Sequence, residues 1–398
     1  MSHLMTYPEA MVVGLIQGVT ELFPASSLGH NVLIPALIGG SWASDLSVAA
    51  PESPYLAFIV GLHVATAIAM IIYFWRDWLR IAGGFLTSIR DRRVETVDQR
   101  LAWMIILATI PVGIVGALLQ HTVQRTLAKP VITAVFLAIN GLILFGGERL
   151  RRRQVAAAEG VADDPSYGDY DDYEGHEDPA LAPSQARSQA WRDPRLDETR
   201  VDGPRWDDQR WDDQRPDDQR PDEQRWDEPQ PGAGRRRSTR GRPAARHSAP
   251  PSGQRAAKQQ EAREGIAADR RLVELGYGRG ILLGSLQILA LLPGISRDGV
   301  VMVGGMLRGL PRQDAARFSF LLSAPVIFAA GALKIPDLLG PDGAGIRGQV
   351  LVGSIVSGIG AFLALRFLVR YLGDPARTLT PFAIYCLVVG IGSAIYLA

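Results

Sequence analysis

The sequence predicts an all-α integral membrane protein with six transmembrane helices and two re-entrant helical hairpins, arranged as an inverted-topology repeat. The chain has 398 residues, of which 47% are hydrophobic, but its charged residues are concentrated in the middle. Outside that middle, several apolar stretches approach the ~20 residues that a helix needs to cross a bilayer. In each half a proline interrupts a shorter apolar stretch, and three longer stretches follow it.

The first half, residues 1–148, is predicted to hold one hairpin and three spans. The apolar pieces of residues 8–40 are too short to cross, and Pro24 between them cannot continue a helical hydrogen-bond ladder. Broken backbone at membrane depth is tolerated only where it is buried in protein or lines a cavity. Arginines in the predicted loop 76–100 place that loop in the cytoplasm. The predicted spans are 54–75, 101–120 and 130–147.

Residues 149–272 are predicted to form a disordered cytoplasmic linker. The segment is rich in Asp, Arg, Gln, Pro and Gly and poor in aliphatic residues, a composition typical of disorder. A five-residue repeat, RWDDQ and its variants, runs from Arg205 to Glu228 and matches neither helix nor strand periodicity. The basic run Arg235–Arg246 is either a solvated stretch or a contact for anionic lipid headgroups.

The second half, residues 273–398, repeats the pattern of the first. Its predicted hairpin is 275–310, and its predicted spans are 316–335, 348–366 and 379–397. Aligning Pro24 with Pro293 places Ser27 on Ser296. An odd number of crossings in each half inverts the second half relative to the first. We therefore expect the two breaks to meet near the middle of the membrane, with both termini outside.

The two breaks carry the polar residues that interrupt these apolar stretches. Gln17 and Glu21 share one helix face and offer oxygen ligands for Mg²⁺ or Ca²⁺. Ser27 is a candidate nucleophile, and His30 is its candidate general base or the acid for the leaving group. The planar guanidinium of Arg297 suits phosphate oxygens. Together these groups suit phosphoryl transfer on a phosphate that is carried by a lipid.

Structural alternatives exist for most of these side chains. Glu21 could hydrogen-bond a neighbouring helix, and Ser26 could only cap one. His30 could be a structural hydrogen-bonding group, and Arg297 could pair with Asp298 or Glu21, because an unpaired charge at that depth is very costly. We interpret His63, in the apolar stretch 54–75, as structural.

At these residues the chain resembles the bacterial undecaprenyl-diphosphate phosphatases of the bacitracin-resistance type. Gln17 and Glu21 meet that family's (E/Q)xxxE motif, and Pro24–His30 reads as its PxSSxGH element. Pro293–Val301 meets the PGxSRSxxT motif in part, with Asp298 in place of Ser and Val301 in place of Thr. The resemblance covers both halves and omits the linker.

The resemblance implies hydrolysis of undecaprenyl diphosphate to undecaprenyl phosphate and inorganic phosphate. That reaction recycles the carrier lipid for peptidoglycan synthesis and confers bacitracin resistance. The resemblance also implies a divalent cation, Mg²⁺ or Ca²⁺, near Gln17 and Glu21, and it leaves the nucleophile open between Ser27 and His30. The added carboxylate of Asp298 would repel a diphosphate unless it pairs with Arg297 or helps to hold the cation. The predicted catalytic residues are Ser27, His30 and Glu21, and the predicted substrate-binding residues are Arg297, Ser296, Ser26 and Gly294.

The predicted partners are the lipid substrate and the bilayer, with no nucleic acid, and a homodimer is left open. We expect a multi-pass protein of the bacterial plasma membrane whose site faces the outer side. The alternative function is a flippase or transporter of polyprenyl phosphate lipids, because inverted repeats with broken helices are transporter features. A scaffold that docks partners through the linker is a third hypothesis.

Overall fold

A computed structural model describes residues 5–46, 54–162, 264–340 and 345–398, and these residues form helices without a strand. Most of the predicted linker, residues 163–263, lies outside the described residues. The described residues of the first half form seven helices, namely α1 Tyr7–Leu22, α2 Ser27–Ile38, α3 Gly40–Asp45, α4 Pro54–Tyr73, α5 Trp75–Asp91, α6 Val97–Leu127 and α7 Pro130–Ala162.

The second half begins with a helical stretch over residues 264–274. It continues with α8 Gly276–Ser285, a 3₁₀ helix Leu286–Leu291, α9 Arg297–Leu307, α10 Arg312–Leu339, α11 Arg347–Gly373 and α12 Thr380–Leu397. In both halves, therefore, two short helical pieces around a proline precede the long helices.

Five of the described helices are long and apolar enough to cross a membrane, namely α6, α7, α10, α11 and α12. Phe58–Tyr73 of α4 meets the same test only together with α5, from which it is bent by 84°. The all-α membrane class is thus confirmed, with five candidate spans among the described residues, or six if the bent pair forms one.

Helix α5 differs from the predicted loop 76–100. Residues 75–91 are helical, and the charged Arg76, Asp77 and Arg80 share the helix with exposed aliphatic side chains such as Leu79 and Leu86. Apolar and charged residues alternate at helical spacing here, which is the pattern of an amphipathic helix. The arginines mask that periodicity when only charge is counted.

The predicted linker boundaries, 149 and 272, also differ from the structure, because α7 continues to Ala162 and residues 264–274 are helical. The helical stretch 264–274 forms ion pairs with the membrane helices. The fully buried Asp269 carboxylate accepts hydrogen bonds from Arg80 of α5 and from Arg317 of α10. A buried carboxylate held by two guanidiniums fixes this stretch against the bundle.

Helices α1 and α7, which carry polar side chains of the breaks, each pack closely against a neighbouring helix through a glycine contact. A Cβ on Gly18 of α1 would lie 2.2 Å from the Ser357 carbonyl oxygen of α11, so only glycine permits this approach. The pair α7 and α12 is equally close, since a Cβ on Gly390 would lie 2.5 Å from the Ala138 nitrogen. Small residues at helix contacts are the usual way in which membrane helices pack. Helices α1 and α7 are therefore firmly held where they carry polar side chains.

Candidate active site

The first break begins at the C-terminal end of α1, where two polar side chains lie on one face. The Gln17 amide donates to Glu21 Oε2 at 2.8 Å, and both side chains are buried. Helix α1 ends at Leu22 because Phe23 is extended ahead of Pro24. Glu21 therefore lies in the last turn of α1, beside the break.

The two serines of the first break have different roles. Ser26 is the N-cap of α2, and its hydroxyl accepts a hydrogen bond from the Gly29 amide at 3.2 Å. The backbone φ of Ser26 is 63°, which lies in the left-handed region. Residues other than glycine seldom adopt this conformation, and those that do are often found at functional sites. Ser27 begins α2, and its hydroxyl donates to Glu21 Oε2 at 2.5 Å. The cap thus leaves the Ser27 hydroxyl directed at the carboxylate.

The second break brings a cation to the same carboxylate. Ser296 is the N-cap of α9 and accepts a hydrogen bond from the Gly299 amide at 3.1 Å. Arg297, the first residue of α9, donates from Nη2 to Glu21 Oε1, across 276 positions of sequence. One carboxylate therefore receives a hydroxyl from the first half and a guanidinium from the second.

The two breaks lie against each other. A Cβ on Gly29 would lie 3.1 Å from the Gly294 Cα, and one on Gly299 would lie 3.3 Å from Pro24 Cβ. The N-caps correct the alignment drawn from the prolines, because Ser26 and Ser296 both cap their helices through the amide three residues on. Ser296 thus corresponds to Ser26, and Arg297 corresponds to Ser27.

Gly294 has a packing role in this arrangement. Its φ is +111°, and a Cβ there would lie 2.5 Å from the Thr133 carbonyl oxygen of α7. Both constraints require glycine. Its predicted part in binding substrate stays a prediction.

His30 is held away from the Glu21 carboxylate by other partners. Its Nδ1 lies 2.8 Å from the Ser26 carbonyl oxygen, which can only accept, so Nδ1 carries the proton. Its Nε2 lies 2.8 Å from the Tyr385 hydroxyl of α12, and the two rings stack with centroids 5.7 Å apart. Because both ring nitrogens are engaged, a role as base for Ser27 requires a rearrangement.

His63 is the residue of this cluster that the sequence reasoning missed. Its Nε2 lies 3.4 Å from Glu21 Oε2, and its Nδ1 lies 2.8 Å from the Ile59 carbonyl oxygen of its own helix. The available signal was a lone ionisable side chain in an otherwise apolar span, which is a functional candidate by default. The interpretation of His63 as structural does not anticipate its contact with Glu21.

Asp298 does not pair with Arg297 in the structure. Its Oδ1 accepts hydrogen bonds from the Ser319 and Ser323 hydroxyls of α10, each at 2.6 Å, and the side chain is buried. Two hydroxyl donors offset part of the cost of burying this carboxylate. Helix α10 therefore supports the first turn of α9, next to Arg297.

Comparison with known proteins matches the parts of the chain that contain both breaks. The family model of bacitracin resistance protein BacA matches residues 10–169 and 255–392. The chain belongs to the BacA family. One relative from Mycolicibacterium paratuberculosis, named undecaprenyl-diphosphatase, is 46% identical over 100% of this chain and 99% of its own. A second, undecaprenyl-diphosphatase 1 of Frankia casuarinae, is 48% identical over 97% of this chain and 96% of its own. A BacA member with these apolar helices is a multi-pass membrane protein.

The predicted cation residues of this BacA chain do not fit a divalent ion as they are arranged. Gln17 turns its N–H to Glu21, and its oxygen accepts from the Asn31 amide at 2.5 Å. The Glu21 oxygens already accept from Ser27, Gln17 and Arg297. The described residues hold no group of three or more His, Cys, Asp or Glu side chains suited to a metal. Mg²⁺ or Ca²⁺ binding at Gln17 and Glu21 stays a prediction that requires these contacts to change.

Proposed function

We propose that this protein hydrolyses undecaprenyl diphosphate to undecaprenyl phosphate and inorganic phosphate. The reaction would recycle the carrier lipid of peptidoglycan synthesis and give resistance to bacitracin. One observation carries the proposal beyond the names of the relatives, namely the Glu21 carboxylate that Ser27 and Arg297 reach from opposite halves. Phosphoryl transfer to a serine needs a hydroxyl, a base and a guanidinium, and here the hydroxyl and the guanidinium both contact the carboxylate that would act as the base.

In the proposed mechanism, Arg297 leaves Glu21 to bind the terminal phosphate when the substrate arrives. A diphosphate offers more oxygen acceptors and more negative charge than one carboxylate, and the guanidinium fork suits it. The Glu21 carboxylate then accepts the Ser27 proton over the 2.5 Å contact that already joins them. Arg297 thus neutralises the Glu21 carboxylate until the substrate binds Arg297 in place of that carboxylate.

The covalent steps balance as follows. Ser27 Oγ forms a bond to the terminal phosphorus, and the bond from that phosphorus to the bridging oxygen breaks. Undecaprenyl phosphate leaves with the bridging oxygen and its electron pair. Glu21 passes the proton taken from Ser27 to the leaving undecaprenyl phosphate and is a carboxylate again. Water then attacks the phosphorus of the phosphoserine, its proton passes to Glu21, and the bond from phosphorus to Ser27 Oγ breaks. Glu21 returns that proton to Ser27 Oγ, and inorganic phosphate leaves.

The membrane arrangement is part of the same proposal. We infer six spans and two re-entrant hairpins, with α4 crossing and α5 lying along the cytoplasmic surface with its arginines. The 84° bend between Phe58–Tyr73 and Trp75–Asp91 supports this division. The site would face the outer side, as the distribution of arginines between loops suggests, and the linker would lie in the cytoplasm. If a divalent cation binds, Gln17 and Glu21 would hold it and it would neutralise charge on the diphosphate, in an arrangement in which Gln17 and Arg297 no longer hydrogen-bond Glu21.

The experiment is phosphate release from undecaprenyl diphosphate by the purified full chain in detergent. Ser27→Ala should lower kcat at least about a hundredfold, since it removes the nucleophile. Ser357→Ala is the matched control, because Ser357 is another buried serine, whose hydroxyl has no hydrogen-bond partner among the described residues. Wild-type rates from Ser27→Ala would reject serine attack.

A trapped intermediate distinguishes Ser27 from His30. Acid quenching of a single turnover with labelled substrate should leave an acid-stable phosphoserine on the peptide that contains Ser27. A parallel alkaline quench tests the alternative, because phosphohistidine survives alkali and not acid. Label at His30 that survives only the alkaline quench would instead assign the attack to the imidazole.

A further inference from the structure

One buried side chain contacts both breaks. Asn140, in the middle of α7, donates from Nδ2 to the Pro24 carbonyl oxygen at 2.9 Å. Its Oδ1 accepts from the Ser296 backbone amide at 3.0 Å. The residue is fully buried, and Nδ2 also lies 3.5 Å from Cys386 Sγ of α12. No other part of the proposed mechanism uses it.

We propose that Asn140 is a positioning residue that holds the two breaks in register, so that Ser27 and Arg297 meet at Glu21. The proposal rests on the function proposed above, because it concerns the site that would perform it. Asn140 would act through the backbone on either side and would not touch the substrate.

The chemistry of the two partners fixes the identity of this side chain. The Pro24 carbonyl can only accept and the Ser296 amide can only donate, so one end of the side chain must donate and the other must accept. A primary amide does both. A carboxylate would leave the Pro24 carbonyl with only the weak thiol donor of Cys386, 3.8 Å away, and an aliphatic side chain would also leave the Ser296 amide unpaired. Asn140 and Ser296 are buried in protein, so losing their hydrogen bond leaves a polar group unpaired at a cost in free energy.

The positions of the two partners connect them to the reacting groups. Ser296 is the N-cap that begins α9, and Arg297 is the next residue. Pro24 lies in the turn that leads to Ser27 at the start of α2. The close approach of Gly294 to the α7 backbone leaves little room for the second break to shift while Asn140 holds it. Releasing both bonds would free one break to move relative to the other.

The primary test is Asn140→Leu, which keeps the branching and the number of heavy atoms of the side chain and removes both hydrogen bonds. Because a misplacement of about 1 Å lowers rates about a hundredfold, kcat should fall about a hundredfold while KM stays within about threefold. Thr133→Val is the matched control, since Thr133 is fully buried on the same helix and its hydroxyl has no partner among the described residues. The control should keep wild-type kcat.

Hydrogen exchange supplies a readout that does not need catalysis. Peptides containing Ser296 should exchange about tenfold faster in Asn140→Leu, because its amide loses its acceptor. Thr133→Val should leave that exchange unchanged. If the wild type releases no phosphate, the proposed function fails, while the exchange comparison still decides whether Asn140 holds the second break.

A double-mutant cycle separates positioning from general stability. If Asn140 acts by placing Arg297, Asn140→Leu should cost less than about threefold further in an Arg297→Ala background. Additive losses, an unchanged kcat or unchanged exchange would each overturn the proposal. Asn140→Asp replaces the leucine variant if that does not fold. It keeps the acceptor for Ser296 and loses the donor to Pro24, so kcat should fall with exchange still slow, and a wild-type kcat would overturn the proposal.

Discussion

The two breaks share a backbone design but differ in their side chains. Each ends in a serine N-cap, and each helix that follows has a glycine in its first turn, at Gly29 and Gly299. At the position after the cap, the first break has Ser27 and the second has Arg297. The repeat therefore supplies two similar supports, and the proposed chemistry is divided between them.

The helical pieces before the breaks differ as well. In the first half, Gln17 is hydrogen-bonded to Glu21 and Asn31. In the second, the corresponding Gln287 lies in a 3₁₀ helix, and neither its amide nitrogen nor its oxygen has a partner among the described residues. The first half retains a connected network of polar side chains, whereas the second contributes mainly its cation.

Removing the shared carboxylate should have the largest effect, because both halves depend on it. Glu21→Gln keeps the shape of the side chain but removes its charge and its capacity to accept a proton. We expect kcat for phosphate release to fall about a thousandfold, within the range for losing a general base. Glu9→Gln is the control on the same helix, since glutamine also serves in the capping box with Thr6. Equal activities of the two variants would contradict the central role of Glu21.

Removing the cation of the second half should have the next largest effect. Arg297→Ala should lower kcat/KM about a hundredfold, and Arg297→Lys should retain an intermediate rate, because lysine keeps the charge without the planar fork. The control is Arg308→Ala, which changes an exposed arginine at the end of the same helix. If lysine matched arginine fully, bidentate phosphate binding would be ruled out.

A smaller effect is expected at His63, which contacts the carboxylate from α4. His63→Asn should lower kcat about tenfold by removing one of the groups that position Glu21. Ile72→Val, which changes an exposed side chain on the same helix, should stay near wild type. An unchanged rate in His63→Asn would return His63 to the structural role that the sequence suggested.

The smallest effect is expected at the glutamine of the second half. Gln287→Leu should raise the free energy of unfolding by about 1 kcal/mol, because a buried amide without partners is replaced by an apolar group. Its activity should change little, whereas Gln17→Leu should lose activity about tenfold by disrupting the contacts to Glu21. Thermal unfolding in detergent measures the stability of Gln287→Leu, and phosphate release measures the activity of both variants. A destabilised Gln287→Leu would show that the amide has a partner in solution.

Local pattern was enough to predict the helical class, the pairing of Gln17 with Glu21 and the two proline breaks. These features depend on neighbouring residues and on the helical period. The exact equivalence of the breaks was not predictable from prolines, because the second turn holds one more residue between proline and cap. The arginines of α5 predict a solvated loop over 76–100, and that prediction is wrong for residues 75–91, which are helical.

The contacts that complete the site were beyond the sequence. Arg297 lies 276 positions along the chain from its partner Glu21. Asn140 lies 116 positions from Pro24 and 156 positions from Ser296. The sequence favours a structural role for His63, because nothing near it along the chain identifies Glu21 as its partner. Such pairings depend on helix packing, which no local pattern encodes.

The most direct test measures phosphate release and lipid transfer together in proteoliposomes that contain the full chain and labelled undecaprenyl diphosphate. The account predicts inorganic phosphate and undecaprenyl phosphate from the wild type, and loss of both products in Glu21→Gln. Transfer of intact diphosphate lipid between leaflets, without phosphate release by folded wild type, would contradict hydrolysis and favour a flippase.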